Sequence, residues 1–304
     1  ILEAKGNMKT EIVGTGPFKF VEYRRGVSIE LTKNTAYHVP DRPFLDGIKA
    51  FVIPDSGTTW NYLKSGQLLW FVSIQGQDAG ALNTGGNVTV QESPSTSFIG
   101  AVFNTKAAPF DNVLVRKAAS LAIDRAAALR VTYNGQGQMG GINVPGPWEL
   151  PKDQLQAIPG YGADTGADLA EAKRLLAEAG HPNGFSVKML VRKNPLFEPV
   201  GVFLKDQWSK VGINATLDIQ ENAAFFSSFA KHEYQVCANG GSFAISDPDS
   251  VFGDYFTCGG SQNNSDICQP AIDALFMQQS QEMDPVARLK LVNELERKVL
   301  EEYG

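Results

Sequence analysis

Chemistry, if this chain performs any, would have to come from one crowded stretch. Between Gly240 and Cys268 the sequence GGSFAISDPDSVFGDYFTCGGSQNNSDIC sets Asp247, Asp249, Asp254 and two cysteines among glycines, serines and amides. Paired carboxylates are the usual means of general acid–base work, and clustered Asp, Asn and Cys are ordinary metal ligands. Neither reading completes itself. No third group is identifiable that would orient a nucleophile beside the Asp247/Asp249 pair. Asp-Pro-Asp-Ser is equally a turn and helix start, in which Asp side chains accept backbone N–H groups. The loop also lacks the alternating acidic spacing of a calcium-binding hand. A Cys258–Cys268 bridge across so short a loop would contribute roughly 2.5–3 kcal/mol on the chain-entropy model and would imply an oxidising compartment. Zinc is the rival reading. It needs about four ligands, commonly in close pairs, a spacing that His38, His181 and His232 do not supply. Cys237 sits in an apolar run and reads as buried. We therefore expect no metal, no cofactor and no catalytic residue.

Composition narrows the classes further. The chain has 304 residues and a net charge of −6, enough length for one large or two modest cores. The charge argues against nucleic acid, which is bound through a basic face that displaces counterions. The longest apolar stretches, such as Val115 to Leu129, are interrupted by charge and fall short of the roughly 20 residues that a spanning helix needs. The opening ILEAKGNMKTEIVG has no initiator Met, charged n-region or apolar core, so any targeting segment is removed or lies outside these residues.

The elements that must position the Gly240–Cys268 stretch can be read from periodicity. PFKFVEY and VSIEL around RRG read as a hairpin, IKAFVIP as a third strand, and Thr58–Lys64 as a short helix ending at Gly66. Asp111 would cap a long helix running to about Tyr133. NGQGQMGGINVPGPWELP is a Gly/Pro loop without GK[ST] or a strand-to-helix GxGxxG, hence a connection rather than a phosphate cradle. Asp168 and Glu171 form a capping-box-like start to a helix ended by Gly180 and Pro182. Phe185, Val187, Met189 and Val191 then alternate as a strand, and a helix from about Phe197 to Val211 leads to a strand at Ile213–Ile219. This β-α-β unit would lay its strands parallel. A helix near Ala223–Lys231 and a strand Tyr234–Ala238 extend the pattern, and two helices follow Cys268, the second capped by Asp284 with Pro285 in its first turn. In such open sheets ligands sit outside the carboxyl ends of strands. Those ends are VRKNP and NGGSFAISDPD, which places the opening stretch where a ligand is expected. Trp60, Trp208 and the Phe225-Phe226 pair read as packing.

Five segments in this order carry a family: GTGPFKFVEYRRGVSIELTKNTAY, FNTKAAPFDNVLVRKAASLAIDRAA, DLAEAKRLLAEAGHPNGFSVKML, LKDQWSKVGINATL and DPDSVFGDYFTC. Together they resemble the family-5 extracellular solute-binding proteins of ABC importers, relatives of oligopeptide-, dipeptide- and nickel-binding proteins. The resemblance covers nearly the whole chain. It implies a two-lobed α/β fold of the periplasmic-binding-protein type II architecture that closes on a ligand in an interlobe cleft, is periplasmic or extracellular, and delivers its ligand to a cognate ABC permease as a monomer. Membrane contact would come only through the permease or a lipid anchor outside this chain. By comparison with full-length members, residues 1–97 look like the middle segment of an incomplete first lobe and 98–304 like most of the second.

The resemblance also implies where contacts should fall. Peptide-binding members pair the ligand's α-amino group with an aspartate shortly before the DP of this loop, after a Gly-Trp pair. Here Gly240 and Gly241 stand for Gly-Trp and Ala244 stands for the aspartate. A buried ammonium without a counter-charge is costly, so a standard N-terminally anchored dipeptide is not expected unless Asp247 or Asp249 takes over that role. Arg192 and Lys193 close a strand where dipeptide-binding relatives place an arginine for the ligand carboxylate, a task that suits a planar guanidinium. Asn239, Ser242 and Phe243 of the same segment, Trp148 of the Gly/Pro loop and Phe98 near the crossover complete the candidate contacts for a small or peptide-like solute. A hydrolase or transferase using the Asp247/Asp249 loop is the alternative.

Overall fold

The computed structural model describes residues 12, 14–72, 74, 76–83, 86–93, 95–143, 146–243 and 245–303. They divide into two compact units, Ile1–Val90 and Gln91–Gly304.

In the first unit β1 (Phe18–Arg24), β2 (Ser28–Lys33) and β3 (Gly47–Phe51) form an antiparallel meander in that order. Its pairing puts Phe20, Tyr23, Ile29, Leu31 and Ile48 on one face and Lys19, Glu22, Glu30 and Lys49 on the other. A register shift between Phe20 and Glu22 is what lets Phe20 and Tyr23 share the apolar face. The helix α1 spans Ser56–Lys64, starting before the expected Thr58 because Asp55 caps it, accepting from Thr58 N at 2.7 Å. Trp60 packs edge-on to Phe71. The helix α2 (Gly76–Asn83) has no sequence signature, since GQDAGALN contains two helix-weakening glycines.

The second unit is built on the strand order β4-β7-β5-β6, with β4 at Ser97–Phe103, β5 at Phe185–Arg192, β6 at Ile213–Gln220 and β7 at Val236–Ser242. As the β-α-β reading required, β5 runs parallel to β6, and also to β7, while β4 is antiparallel to β7. One face of β5, carrying Val187, Met189 and Val191, buries against α3 (Val113–Leu121), α6 (Thr165–Glu178) and the crossover helix α7 (Glu198–Ser209). The other face, carrying Leu190, packs with Phe225 of α8 (Asn222–Ala230), Tyr234 and Cys237. Cys237 is buried, and burial pushes its thiol well above the usual range. Phe226, expected in the core, is 48% exposed.

Three further helix starts differ from expectation, each for a local reason. The apolar stripe from Val115 to Ala126 is not one helix but two, α3 and α4 (Arg125–Tyr133), because Asp124 leaves helical geometry and caps the second by accepting from Ala127 N at 2.8 Å. Asn112, not Asp111, caps the first, accepting from Leu114 N at 2.9 Å. α6 begins at Asp164, which accepts from Ala167 N, and Glu171 pairs with Arg174 instead of closing a capping box. Beyond the Gly/Pro loop lie α5 (Lys152–Gln156), then α9 (Pro248–Tyr255), α10 (Pro270–Gln281) and α11 (Pro285–Tyr303), the last capped by Asp284 as the sequence indicated.

Trp208 ties this core together. It is fully buried, stacks on Phe103, lies tilted against Phe110, and donates its indole N–H to Ala119 O at 2.9 Å. Trp208→Ala should destabilise the second unit by about 3–5 kcal/mol, read from the shift in urea midpoint.

Candidate functional site

The site is assembled where β7 ends and β4 begins. Antiparallel pairing sets Ser97 opposite Ser242 and Phe98 opposite Gly241. Thr96 and Phe243 extend the pairing, with Phe243 N donating to Thr96 O at 3.0 Å and the Thr96 hydroxyl to Phe243 O at 2.8 Å. Phe98 and Phe243 consequently stack at 5.5 Å, and Tyr255 of α9 meets both edge-on at 5.6 and 5.3 Å. The two glycines make this possible. A Cβ on Gly241 would lie 2.7 Å from Phe98 Cε1 and Tyr255 Oη, and one on Gly240 would lie 2.3 Å from Phe98 O. Phe243 is 5% exposed, with Phe98, Trp148 and Tyr255 packed around its cluster. Asn239, opposite Gly100, is buried, and Ser242 is exposed at the strand end.

Asp247 and Asp249 are committed to structure. Asp247 caps α9, accepting from Asp249 N at 2.9 Å, and takes a two-pronged pair from Arg288 of α11, Nη2 to Oδ1 at 2.9 Å and Nη1 to Oδ2 at 3.2 Å. Asp249 accepts from Gln279 Nε2 and from the Ser280 hydroxyl on α10, with Arg288 Nη2 at 3.4 Å. Burial pushes the Asp247 carboxyl up, but the Arg288 pair and the Asp249 N–H outweigh it and hold the group below the usual carboxylate range. Trp148 lies under the Arg288 guanidinium at 4.7 Å. Ala244 lies outside the described residues.

Arg192 and Lys193 part company. Lys193 is exposed and pairs with Glu221. Arg192 turns toward the Leu190 face of β5, its guanidinium 4.1 Å from the Phe197 ring and 5.3 Å from Phe226, with Nε buried and lacking a hydrogen-bond partner among the described residues. Burial lowers its proton affinity, and no carboxylate pairs with it among the described residues. The candidates thus form two groups, one around Phe98, Phe243, Trp148 and Asp247, the other around Arg192. Two surface hollows of about 360 and 320 Å³ are lined by other residues, Ala108, Asp111 and His181 in one, Lys188, Asp218 and Glu233 in the other.

Two features outside the candidate ligand contacts, one an expected disulfide and one unexpected, fix the surrounding loops. Cys258 and Cys268 are joined in a disulfide, which decides between bridge and zinc, and Asp273 of α10 accepts from Cys258 N at 3.0 Å. Glu296 of α11, which reads as a surface residue in NELERK, is fully buried and accepts from Ile142 N, Asn143 N and Asn143 Nδ2, pinning the Gly/Pro loop. Burial raises its carboxyl above the usual range despite these donors.

A mixed α/β unit with this sheet is the architecture of periplasmic binding proteins. The ABC transporter-associated periplasmic binding protein DppA from Helicobacter pylori, solved with the peptide STSA, superposes with a TM-score of 0.87 at 26% identity, over 99% of this chain and 59% of that one. The family described as "Bacterial extracellular solute-binding proteins, family 5 Middle" matches residues 2–263, and the chain belongs to that family. Heme-binding protein A of Haemophilus influenzae is 30% identical over 245 residues, 78% of this chain and 43% of that protein. Di/tripeptide-binding protein 1 of Pseudomonas aeruginosa is 26% identical over 286 residues, 92% and 52% respectively. The chain spans about half the length of the curated relatives it matches. No helix among the described residues is long and apolar enough to cross a membrane.

Two substitutions probe the frame. Gly240→Ala forces β4 away from β7 where the aromatic cluster sits and should cost about 1–3 kcal/mol in chemical denaturation. Glu296→Ala strands buried donors and should cost about 3 kcal/mol. Because burial raises the Glu296 carboxyl in the folded state, the native state holds its proton more tightly, so wild-type stability should fall as pH rises from the ordinary glutamate value of about 4.5 through the folded pKa. Glu296→Gln should lack that slope, and equal slopes in the two proteins would refute the assignment.

Proposed function

We propose that the protein captures a peptide-sized solute outside the cytoplasmic membrane and hands it to an ABC permease, without performing chemistry on it. Family membership supports the role, as do relatives named for binding peptides and heme. Residues 1–97 would belong to one lobe and 98–304 to the other, with the protein acting as a monomer. The disulfide suits an oxidising compartment. The net charge of −6 argues against a nucleic-acid partner.

One observation carries the ligand class. The carboxylates after β7 are taken up by Arg288, Gln279 and Ser280, whereas Arg192 keeps a half-buried cation without a carboxylate partner among the described residues. That arrangement favours a neutral or anionic ligand, with Arg192 receiving a carboxylate and the partly exposed Phe98 and Trp148 offering apolar surface, while Phe243, expected as a contact, is buried beneath them. It disfavours a standard dipeptide anchored by its ammonium. The same engagement argues against the Asp247/Asp249 loop as the acid–base pair of a hydrolase or transferase, since both groups serve as anchors.

Mass spectrometry of what co-purifies with the full-length protein, followed by thermal shift against free and N-acetylated peptides, opines, aromatic acids and oligosaccharides, tests the reading. A ligand at a hundredfold excess over its dissociation constant should add about 2.7 kcal/mol of stability. Arg192→Ala should weaken a carboxylate ligand by about tenfold or more. Turnover of a stabilising ligand, or unchanged affinity in Arg192→Ala, would overturn it.

A further inference from the structure

Arg288 spends every nitrogen of its guanidinium on neighbours. Nε donates to Gln279 Oε1 at 3.2 Å, Nη1 and Nη2 take the two oxygens of Asp247, and Nη2 also approaches Asp249. Its flat face covers Trp148. The pair is only partly wet, with the Arg288 side chain 19% and the Asp247 side chain 33% exposed. Asp249 has two further partners of its own, Gln279 and Ser280. Asp247 depends on Arg288 alone for a counter-charge among the described residues.

From this asymmetry we infer that Arg288 is a specificity-determining positioning residue. It withdraws the Asp247 carboxylate from the ligand and thereby sets the protein against cationic solutes. The inference rests on the proposed solute-binding role. Its physical basis is a competition for one anion. A ligand ammonium reaching Asp247 must displace a two-pronged, hydrogen-bonded guanidinium that is already partly desolvated, and the displaced Arg288 would be left without its charge partner. Discrimination therefore comes from a partner already in place, a device that rejects the wrong ligand rather than one that improves the right one. Removing Arg288 frees Asp247 at the end of the β7 segment while Asp249 stays held by α10, so a single acidic group becomes available to a cation.

The test compares Ala-Ala-Phe with N-acetyl-Ala-Ala-Phe by calorimetry on the full-length protein. Arg288→Met should raise the preference for the free-amine peptide by about tenfold or more. Arg288→Lys, which keeps a cation beside Asp247, should restore the wild-type ratio, and Arg288→Met combined with Asp247→Asn should abolish the gain. A general loosening of the loop would move both peptides together and would not depend on Asp247. If Arg288→Met does not fold, Arg288→Gln, which retains a donor but no charge, should show the same gain. A folded Arg288→Met or Arg288→Gln variant that keeps the wild-type ratio, or that binds neither peptide, overturns the inference. Wild type binding neither peptide counts against peptide-sized ligands for the parent reading, and a gain in Arg288→Met would still support the role of Arg288.

Discussion

The Arg288–Asp247 pair is the constraint on which the arrangement of this region depends. One guanidinium joins the start of α9, the last turn of α10, the first turn of α11 and the Trp148 ring of the Gly/Pro loop. Burying two charges is costly unless geometry and further hydrogen bonds offset the loss of water. Here the two-pronged contact, the Asp249 N–H on Asp247 and the Gln279 oxygen on Arg288 supply that offset. The result is a loop after β7 whose acids are structural members.

A second buried carboxyl group completes the frame from the same helix. Glu296 lies about two turns beyond Arg288 on α11 and gathers three donors from Ile142 and Asn143. Arg288 thus fixes the loop after β7 and the Trp148 side of the Gly/Pro loop, while Glu296 fixes its 142–143 side. Along the same helix Val292, Leu295 and Val299 bury in the cluster that contains Phe243 and Phe252. α11 serves as a spine, apolar along one stripe and charged at two points where loops must be held. The aromatic cluster at the strand ends can then lie directly on Gly240 and Gly241.

Much of the fold was legible because it is written in local periodicity. The alternation at Phe185–Val191 and Ile213–Ile219, with a helix between, could only be a parallel pair, and β5 and β6 form one. Asp247 was readable as a helix cap from Asp-Pro-Asp-Ser alone. What escaped depends on partners distant in sequence. Nothing in ARLKL distinguishes Arg288 from a solvent-facing cation, and its carboxylate is 41 residues away. Glu296 sits in a charged run yet finds its donors 153 and 154 residues earlier. The break at Asp124 was hidden because the apolar stripe continues across it, and capping overrode periodicity. Of the contacts expected from family resemblance, Phe98, Phe243, Trp148 and Asp247 are brought together, Lys193 is drawn to Glu221, and Arg192 faces a separate aromatic surface.

The central claim is that the carboxylate after β7 serves the fold and not the ligand. Carboxyl-carbon NMR of Asp247 in the full-length protein, with and without its co-purifying ligand, tests it most directly. The account requires Asp247 to titrate below the usual carboxylate range in both states, with no displacement when ligand is added. A titration at the ordinary carboxylate value in the free protein, moved downward only by ligand, would mean that Asp247 meets the ligand's charge and would contradict the account.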